Sequence, residues 1–469
     1  MLNKMQALLI QWVLDPLYRV TKLVPKKVWN VLMTLSVLGI VMMQFAISAG
    51  LVTRYLFSFL PFCLFVGIII LAGLSEDMKP VPFSPVMLVC WLGMAVCITG
   101  SGVLVNRDSL GDAMLWLVAF PILFIVWCNR PFAELAKSAV NGVYLSFLAL
   151  VLMMMWKYPI SSINYRGFFL NSNGLAMYCT AVFVTALADI LTQKRFSVRI
   201  VLGDVILGMA ASISYCTNSR ACQYMMVVVA VFAAVLFLVI HREKLVKTLL
   251  CYALPAVLAV VILLPGGVTV INSGAKAIDK IEKAFVQQDA AAKPNAGGAS
   301  AQTQEKVDTF EAIRRRNEER QGQSGDGDFT TGRTELWGIY LSEVGVLGHS
   351  SDNKLYYDNG DVVTKSAHNT LIQMAYEYGA VAALFFLALN LVSGIKALIY
   401  AYQNRALDYS IFPVLVAVGY GGYYLVEKML YPSQCLLLLL YVLTQAAVFT
   451  KKKKTKTVVN CKFKLDTQR

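Results

Sequence analysis

His368 is one of only three histidines in the chain, and it stands where a long polar stretch turns back into apolar sequence, in Ser366-Ala-His-Asn-Thr. Imidazole exchanges a proton near neutral pH, so a histidine at the edge of a membrane suits a base or acid acting on a lipid-borne substrate. The alternative is a histidine that only hydrogen-bonds locally beside a helix cap, which Ser366 or Asn369 can form. Arginines recur in similar settings. Arg333 follows Gly332 and precedes Trp337, Arg220 closes Cys216-Thr-Asn-Ser-Arg, and Arg166 precedes Asn171-Ser-Asn173-Gly. A guanidinium offers five donors in a planar fork that fits phosphate oxygens, and it keeps its proton. Each also has a plainer reading. Arg333 can be solvated at a helix start, Arg220 can snorkel, and the segment with Arg166, Asn171 and Asn173 can be a turn with a helix cap. Thr217, Asn218 and Ser219 place neutral donors beside Arg220.

Several cations and one base on the same side of a membrane fit the transfer of a glycosyl group from a lipid diphosphate. The cations stabilise charge developing on the phosphates, and the base takes the proton of the attacking hydroxyl. Other candidates fit less well. Arg314 to Arg316 have Glu311, Glu318 and Glu319 as intrahelical partners. His349 follows a turn glycine, and His241 falls at an inner helix end beside Arg242.

The elements that must position these groups are membrane helices. The chain has 57% hydrophobic and 15% charged residues, with a mean hydropathy of +0.60. Soluble domains carry about 25% charge, so an all-α integral membrane protein is expected. Apolar runs of bilayer length fall at 28–51, 56–74, 81–103, 113–128, 139–156, 174–191, 200–215, 224–240, 249–264, 371–399, 409–425 and 433–449, about twelve spans. Lys22, Lys26, Lys27, Arg130, Lys137, Lys194, Arg195, Arg199, Arg242, Lys244, Lys247, Arg405 and the Lys451–Lys454 tail then mark one face as cytoplasmic, with both termini there. The net charge of +14 is concentrated on that face, where anionic lipid attracts it, and gives no reason to invoke nucleic acid. Residues 1–23 form a mildly amphipathic segment suited to the inner interface. Most of the ten cysteines lie within the apolar runs with no metal-ligand spacing, as small core residues do.

This organisation divides the chain into an N-terminal bundle of about nine spans (1–264), an extracytoplasmic loop domain (265–367), C-terminal membrane helices (368–449) and a basic tail (450–469). Within the loop, helical spacing is expected at 275–288, 305–320 and 334–344, an Ala/Gly/Gln-rich tether at 290–304, and a turn-rich stretch at 347–365.

Three separated motifs together resemble the O-antigen ligase and polymerase superfamily. They are His368-Asn369 through Glu377 and Gly379, Gly332-Arg333 with Trp337 followed by Leu347-Gly348, and Ser219-Arg220. The stretch from Asn171 to Ala176 is also similar, with Ser172 where many relatives have proline, and Ala380-Val-Ala-Ala383 lacks the second glycine that relatives often have. The resemblance covers about the C-terminal two-thirds; the first five spans bear no signature. It implies a GT-C-like membrane glycosyltransferase of the bacterial inner membrane, inverting and metal-independent, with no cofactor. Its donor would be a glycan on undecaprenyl diphosphate, and its acceptor a hydroxyl of a glycan, lipid or other molecule at the extracytoplasmic face. By that analogy His368 is the base, and Arg220 and Arg333 grip the diphosphate. Arg166, Asn171, Asn173, Ser219, Trp337, Asn369 and Glu377 support them.

Two other classes compete. A flippase for a lipid-linked glycan would place ionisable residues deep in its spans, whereas the middle of these runs is nearly free of charge and the polar chemistry gathers at one face. A membrane receptor with a ligand-binding loop would need no base.

Overall fold

Long apolar runs fold as helices because a helix satisfies its own backbone where water is absent. The computed structural model describes residues 2–48, 55–160, 164–169, 171–193, 195–240, 252–290, 333–350, 353–357, 360, 362–363, 366–431 and 435–450. Helix α1 spans residues 2–21, with a π-helical turn at Ile10–Leu14. There follow α2 (Lys26–Ser48), α3 (Tyr55–Gly73), α4 (Pro85–Leu104), α5 (Leu110–Cys128), α6 (Phe132–Lys157), α7 (Ser172–Thr192), α8 (Val198–Cys216), α9 (Arg220–Ile240) and α10 (Leu254–Ala290). The remainder are α11 (Arg333–Ser342), α12 (Thr370–Tyr378), α13 (Ala380–Gln403), α14 (Phe412–Tyr423) and α15 (Leu436–Val448).

Nine helices among the described residues are long and apolar enough to cross a bilayer, and three shorter apolar ones accompany them at Phe59–Gly73, Phe412–Tyr423 and Leu436–Val448. The molecule is therefore a multi-pass, all-helical membrane protein. Its centre is α15, buried along nearly its whole length and packed by α5, α7, α13 and α14. At 13 residues α15 is about 20 Å long, short of the roughly 30 Å hydrocarbon core. Helix α14, with 12 residues, is shorter still. The irregular segment 424–431 follows α14 directly and buries Tyr424, Glu427, Met429 and Leu430.

Two boundaries differ from the sequence expectation. The run 371–399 is not one helix, because it breaks at Gly379, which sits at φ +94°. The turn 345–348 wedges into the break, and Ala380 N donates to Gly345 O at 3.1 Å. A Cβ at Gly379 would lie 1.9 Å from Val346 O, and one at Gly348 would lie 2.2 Å from Glu377 O. Gly379→Ala should therefore destabilise the fold by more than about 2 kcal/mol, since it adds both steric overlap and backbone strain. A thermal melt of the purified protein checks this; an unchanged midpoint would mean that the turn moves aside freely.

The second difference is α10. The helix expected to end at 264 continues through Pro265 to Ala290, so the first part of the expected loop domain, including 275–288, belongs to the same rod. Ser212 Oγ donates to Leu264 O at 2.9 Å, tying the helix to α8 beside the proline. Such neighbouring side chains are what make proline tolerable within membrane helices. The expected helix at 334–344 is α11. Beyond Ala290, the expected element at 290–304, like that at 305–320, the triplet Arg314–Arg316, His241 and the tail from 451, lies outside the described residues.

The expectation that polar chemistry gathers at one face needs correction. At the opposite end of the bundle, fully buried Asp189 accepts from Arg199 Nε with both carboxylate oxygens, at 2.9 and 2.8 Å. Tyr144 and Tyr409 also donate to it, at 3.0 and 2.6 Å. This network ties α6, α7 and α8 to the turn before α14. The sequence pattern missed it because Asp189 is a single charge three residues before a helix end.

Candidate active site

The irregular segment 424–431 has backbone groups that no helix satisfies, and each one buried and left unpaired would cost about 1–3 kcal/mol. The start of α12 satisfies four of them. Thr370 N donates to Tyr424 O at 2.7 Å. Thr370 Oγ donates to Glu427 O at 2.6 Å and accepts from Met429 N at 2.8 Å. Asn369 Nδ2 donates to Leu425 O at 2.9 Å, while its Oδ1 caps α12 by accepting from Leu371 N and Ile372 N. Arg333 Nη1 donates to Val426 O at 2.6 Å. The motif that begins with His368 thus builds a platform out of an unwound stretch, which explains why Asn and Thr follow the histidine.

On that platform, Glu427 is the organising group. It is 5% exposed. Its Oε2 lies 3.0 Å from His368 Nδ1, and its Oε1 accepts from Asn173 Nδ2 at 2.6 Å and Arg333 Nη2 at 3.3 Å. A carboxylate only accepts hydrogen bonds. In the neutral imidazole this pairing puts the ring proton on Nδ1 and the lone pair on Nε2. Nε2 makes no hydrogen bond to a described residue, and the His368 side chain is 34% exposed. The geometry is that of a base oriented by an acid, with a guanidinium beside it.

The backbone that presents His368 is strained, with φ +47°. It is held from several sides. His368 N donates to Ser366 Oγ at 3.2 Å, Ala367 N to Gln373 Oε1 at 2.7 Å, and Trp337 Nε1 to Ala367 O at 2.8 Å. Trp337 therefore positions the loop from α11. Glu377 lies on another side of the platform. It accepts from Gln373 Nε2 at 2.8 Å, Lys428 Nζ at 2.6 Å and Tyr431 OH at 2.8 Å. Burial, reinforced by the Glu377 carboxylate, pushes the Tyr431 hydroxyl above the ordinary phenol range and keeps it a donor. Glu427 and Lys428 thus point to opposite sides, one to the histidine and the other to the helix that carries it.

The structure joins His368, Arg333, Asn173 and Asn369 in one hydrogen-bonded cluster and leaves others at its margin. Asn171 is exposed and caps α7 by accepting from Gly174 N at 2.7 Å. Arg166 is exposed, in the loop whose Tyr165 N donates to Cys216 O. Asn218 Nδ2 donates to Asn164 Oδ1 at 3.1 Å, so the turn before Arg220 packs on that loop. Ser219 is buried against the Tyr423 hydroxyl, one turn before Glu427. Arg220 begins α9 at this same end but makes no hydrogen bond or ion pair with a described residue. His349 stacks on Tyr376, with ring centroids 4.7 Å apart.

Sequence reasoning missed Glu427 and Lys428. Their signal was an acid–base pair inside the apolar stretch between 409 and 449, where ionisable residues are rare and usually functional. No protein-family model matches the chain, and no curated protein matches it in sequence.

Proposed function

We propose that this protein is a membrane glycosyltransferase of the O-antigen ligase and polymerase type. It moves a glycan from undecaprenyl diphosphate to an acceptor hydroxyl at the extracytoplasmic face of a bacterial inner membrane. One observation carries the reading: the Glu427 carboxylate holds His368 Nδ1, so that Nε2 faces accessible space as a base beside Arg333. In this reading the three shorter apolar helices also count as spans, giving twelve, with both termini cytoplasmic and the platform outside.

The chemistry then follows. The acceptor hydroxyl gives its proton to His368 Nε2, and its oxygen forms a bond to the anomeric carbon. The bond from that carbon to the diphosphate oxygen breaks, and the diphosphate takes the electron pair. A single displacement inverts the configuration. The proton on Nε2 makes the ring cationic, which strengthens its interaction with Glu427 as charge develops. Arg333 keeps donors beyond the two it gives to Val426 and Glu427, and Arg220 supplies a second guanidinium from α9.

The test is reconstitution of the purified protein with an undecaprenyl diphosphate-linked oligosaccharide and analysis of the products. Growth by repeats identifies a polymerase, and movement to a different acceptor identifies a ligase. An unchanged donor, with every acceptor class supplied, would defeat the proposal.

A further inference from the structure

The turn that carries Glu427 is gripped from two directions. On one side a single hydroxyl, Thr370 Oγ, donates to Glu427 O and accepts from Met429 N; one atom is a pivot about which the segment can roll. On the other side Glu377 takes both ends of the stretch 428–431. Its Oε1 accepts from Lys428 Nζ at 2.6 Å, and its Oε2 accepts from Tyr431 OH at 2.8 Å. Two points of attachment stop the roll that one allows. Glu377 is itself fixed. Ser101 Oγ of α4 donates to its backbone O at 2.9 Å, and Gln373 Nε2, one turn earlier on α12, donates to its Oε1 at 2.8 Å. A second acid lies behind the pair. Asp112, in the first turn of α5 and 3% exposed, interacts electrostatically with both Glu377 and Lys428 and makes no hydrogen bond with a described residue.

One lysine thus serves two buried carboxylates on different helices, α12 and α5. Such an arrangement is a poor source of stability, because desolvating the charges offsets much of their attraction and apolar replacements are often as stable. What it supplies is a fixed position. Glu427 and Lys428 are neighbours in sequence and turn to opposite sides of the segment, so holding the Lys428 ammonium on Glu377 sets the direction in which the Glu427 carboxylate faces. That direction is His368 Nδ1, at 3.0 Å. We propose that Lys428 is a positioning residue: held by Glu377, with Asp112 behind it, it keeps the Glu427 carboxylate on His368 and so keeps the lone pair of the neutral ring on Nε2. The inference rests on the glycosyl-transfer reading and gives the N-terminal bundle, through Ser101 and Asp112, a part in it.

The experiment is magic-angle-spinning nitrogen NMR of the full-length protein in lipid vesicles, with only histidine isotope-labelled, at about pH 9, where imidazole is ordinarily neutral. The ring nitrogens of neutral imidazole have different shifts according to which one carries the proton, and His368→Asn identifies the His368 signals by their loss. The wild type should carry the proton on Nδ1. Lys428→Met keeps an apolar stem without the charge and should move most of that population to the Nε2–H form. In the reconstituted assay the same variant should lower kcat by about 10- to 10²-fold while the donor KM changes by less than about threefold, because a misdirected base costs rate and not binding. If Lys428→Met fails to fold, Tyr431→Phe opens the other end of the clamp with no change of charge and should shift the tautomer the same way. A wild-type ring protonated on Nε2, or an Nδ1–H signal unchanged in the folded variant, overturns the proposal. The tautomer is read without donor or acceptor, so the two readings fail separately. A tautomer that responds to Lys428→Met, in a protein that transfers no glycan, sinks the enzymatic reading; transfer with an unresponsive tautomer sinks only the positioning role.

Discussion

If the protein transfers glycans as proposed, replacing His368 with alanine should lower the rate by about 10²- to 10⁴-fold, the range expected when a general base is deleted. The loss is specific because the imidazole has two separate duties. Nδ1 is committed to Glu427 at 3.0 Å, so only Nε2 is left to take a proton. Alanine also inherits the left-handed backbone at φ +47°, where an L-residue is strained by about 1–2 kcal/mol. His368→Asn controls for that strain. Asparagine tolerates the left-handed region and retains an N–H that can reach towards Glu427, but it has no basic nitrogen. Both variants should insert and purify normally, as judged by size-exclusion chromatography, and both should be inactive with the reconstituted donor. Turnover within tenfold of the wild type in the asparagine variant would remove His368 from proton transfer.

Glu427→Gln should be nearly as damaging, for a different reason. Glutamine preserves the shape but not the charge, and its amide can offer an N–H to His368 and so favour the wrong ring tautomer. By comparison with other acid-oriented histidines, the rate should fall by about 10²- to 10⁴-fold. The position also holds three donors together, from Asn173, Arg333 and His368. Glu427→Ala strands them and should lower stability by about 1–3 kcal/mol in addition. Thermal melts and rate–pH profiles separate these effects. The glutamine variant should keep most of the stability and lose the rate, whereas the alanine variant loses both. If Glu427→Gln retains a wild-type rate and pH profile, the carboxylate is a structural staple only.

The membrane class and most helix positions were legible in the chain because bilayer burial is a local demand. A run such as 132–157 or 172–192 must be apolar over a bilayer length whatever lies beside it. The candidates His368, Arg333 and Asn173 were legible as residue types in unusual settings, and the cap made by Asn369 follows from its place before a helix. Asn171 looked the same in the sequence, yet it only caps α7 while Asn173, two residues later, reaches Glu427. That distinction depends on which face of the helix meets segment 424–431, which no local pattern reports.

Composition, apolar run length and charge placement by themselves determined that this is a multi-pass helical membrane protein, and they singled out the histidine and arginines with chemical capacity. Only the tertiary structure decided that Glu427 is the common partner of His368, Arg333 and Asn173. It sits 59 residues from His368, 94 from Arg333 and 254 from Asn173, and a carboxylate near the end of an apolar run otherwise reads as a boundary charge. Tertiary packing also decided the break at Gly379, where the apolar pattern runs on but a turn from another part of the chain occupies the space of a side chain. The physical reason is the same in both cases. Hydrophobic burial is set by neighbours in sequence, whereas the pairing of buried polar groups and the sharing of volume are settled between segments that meet only after the helices have packed.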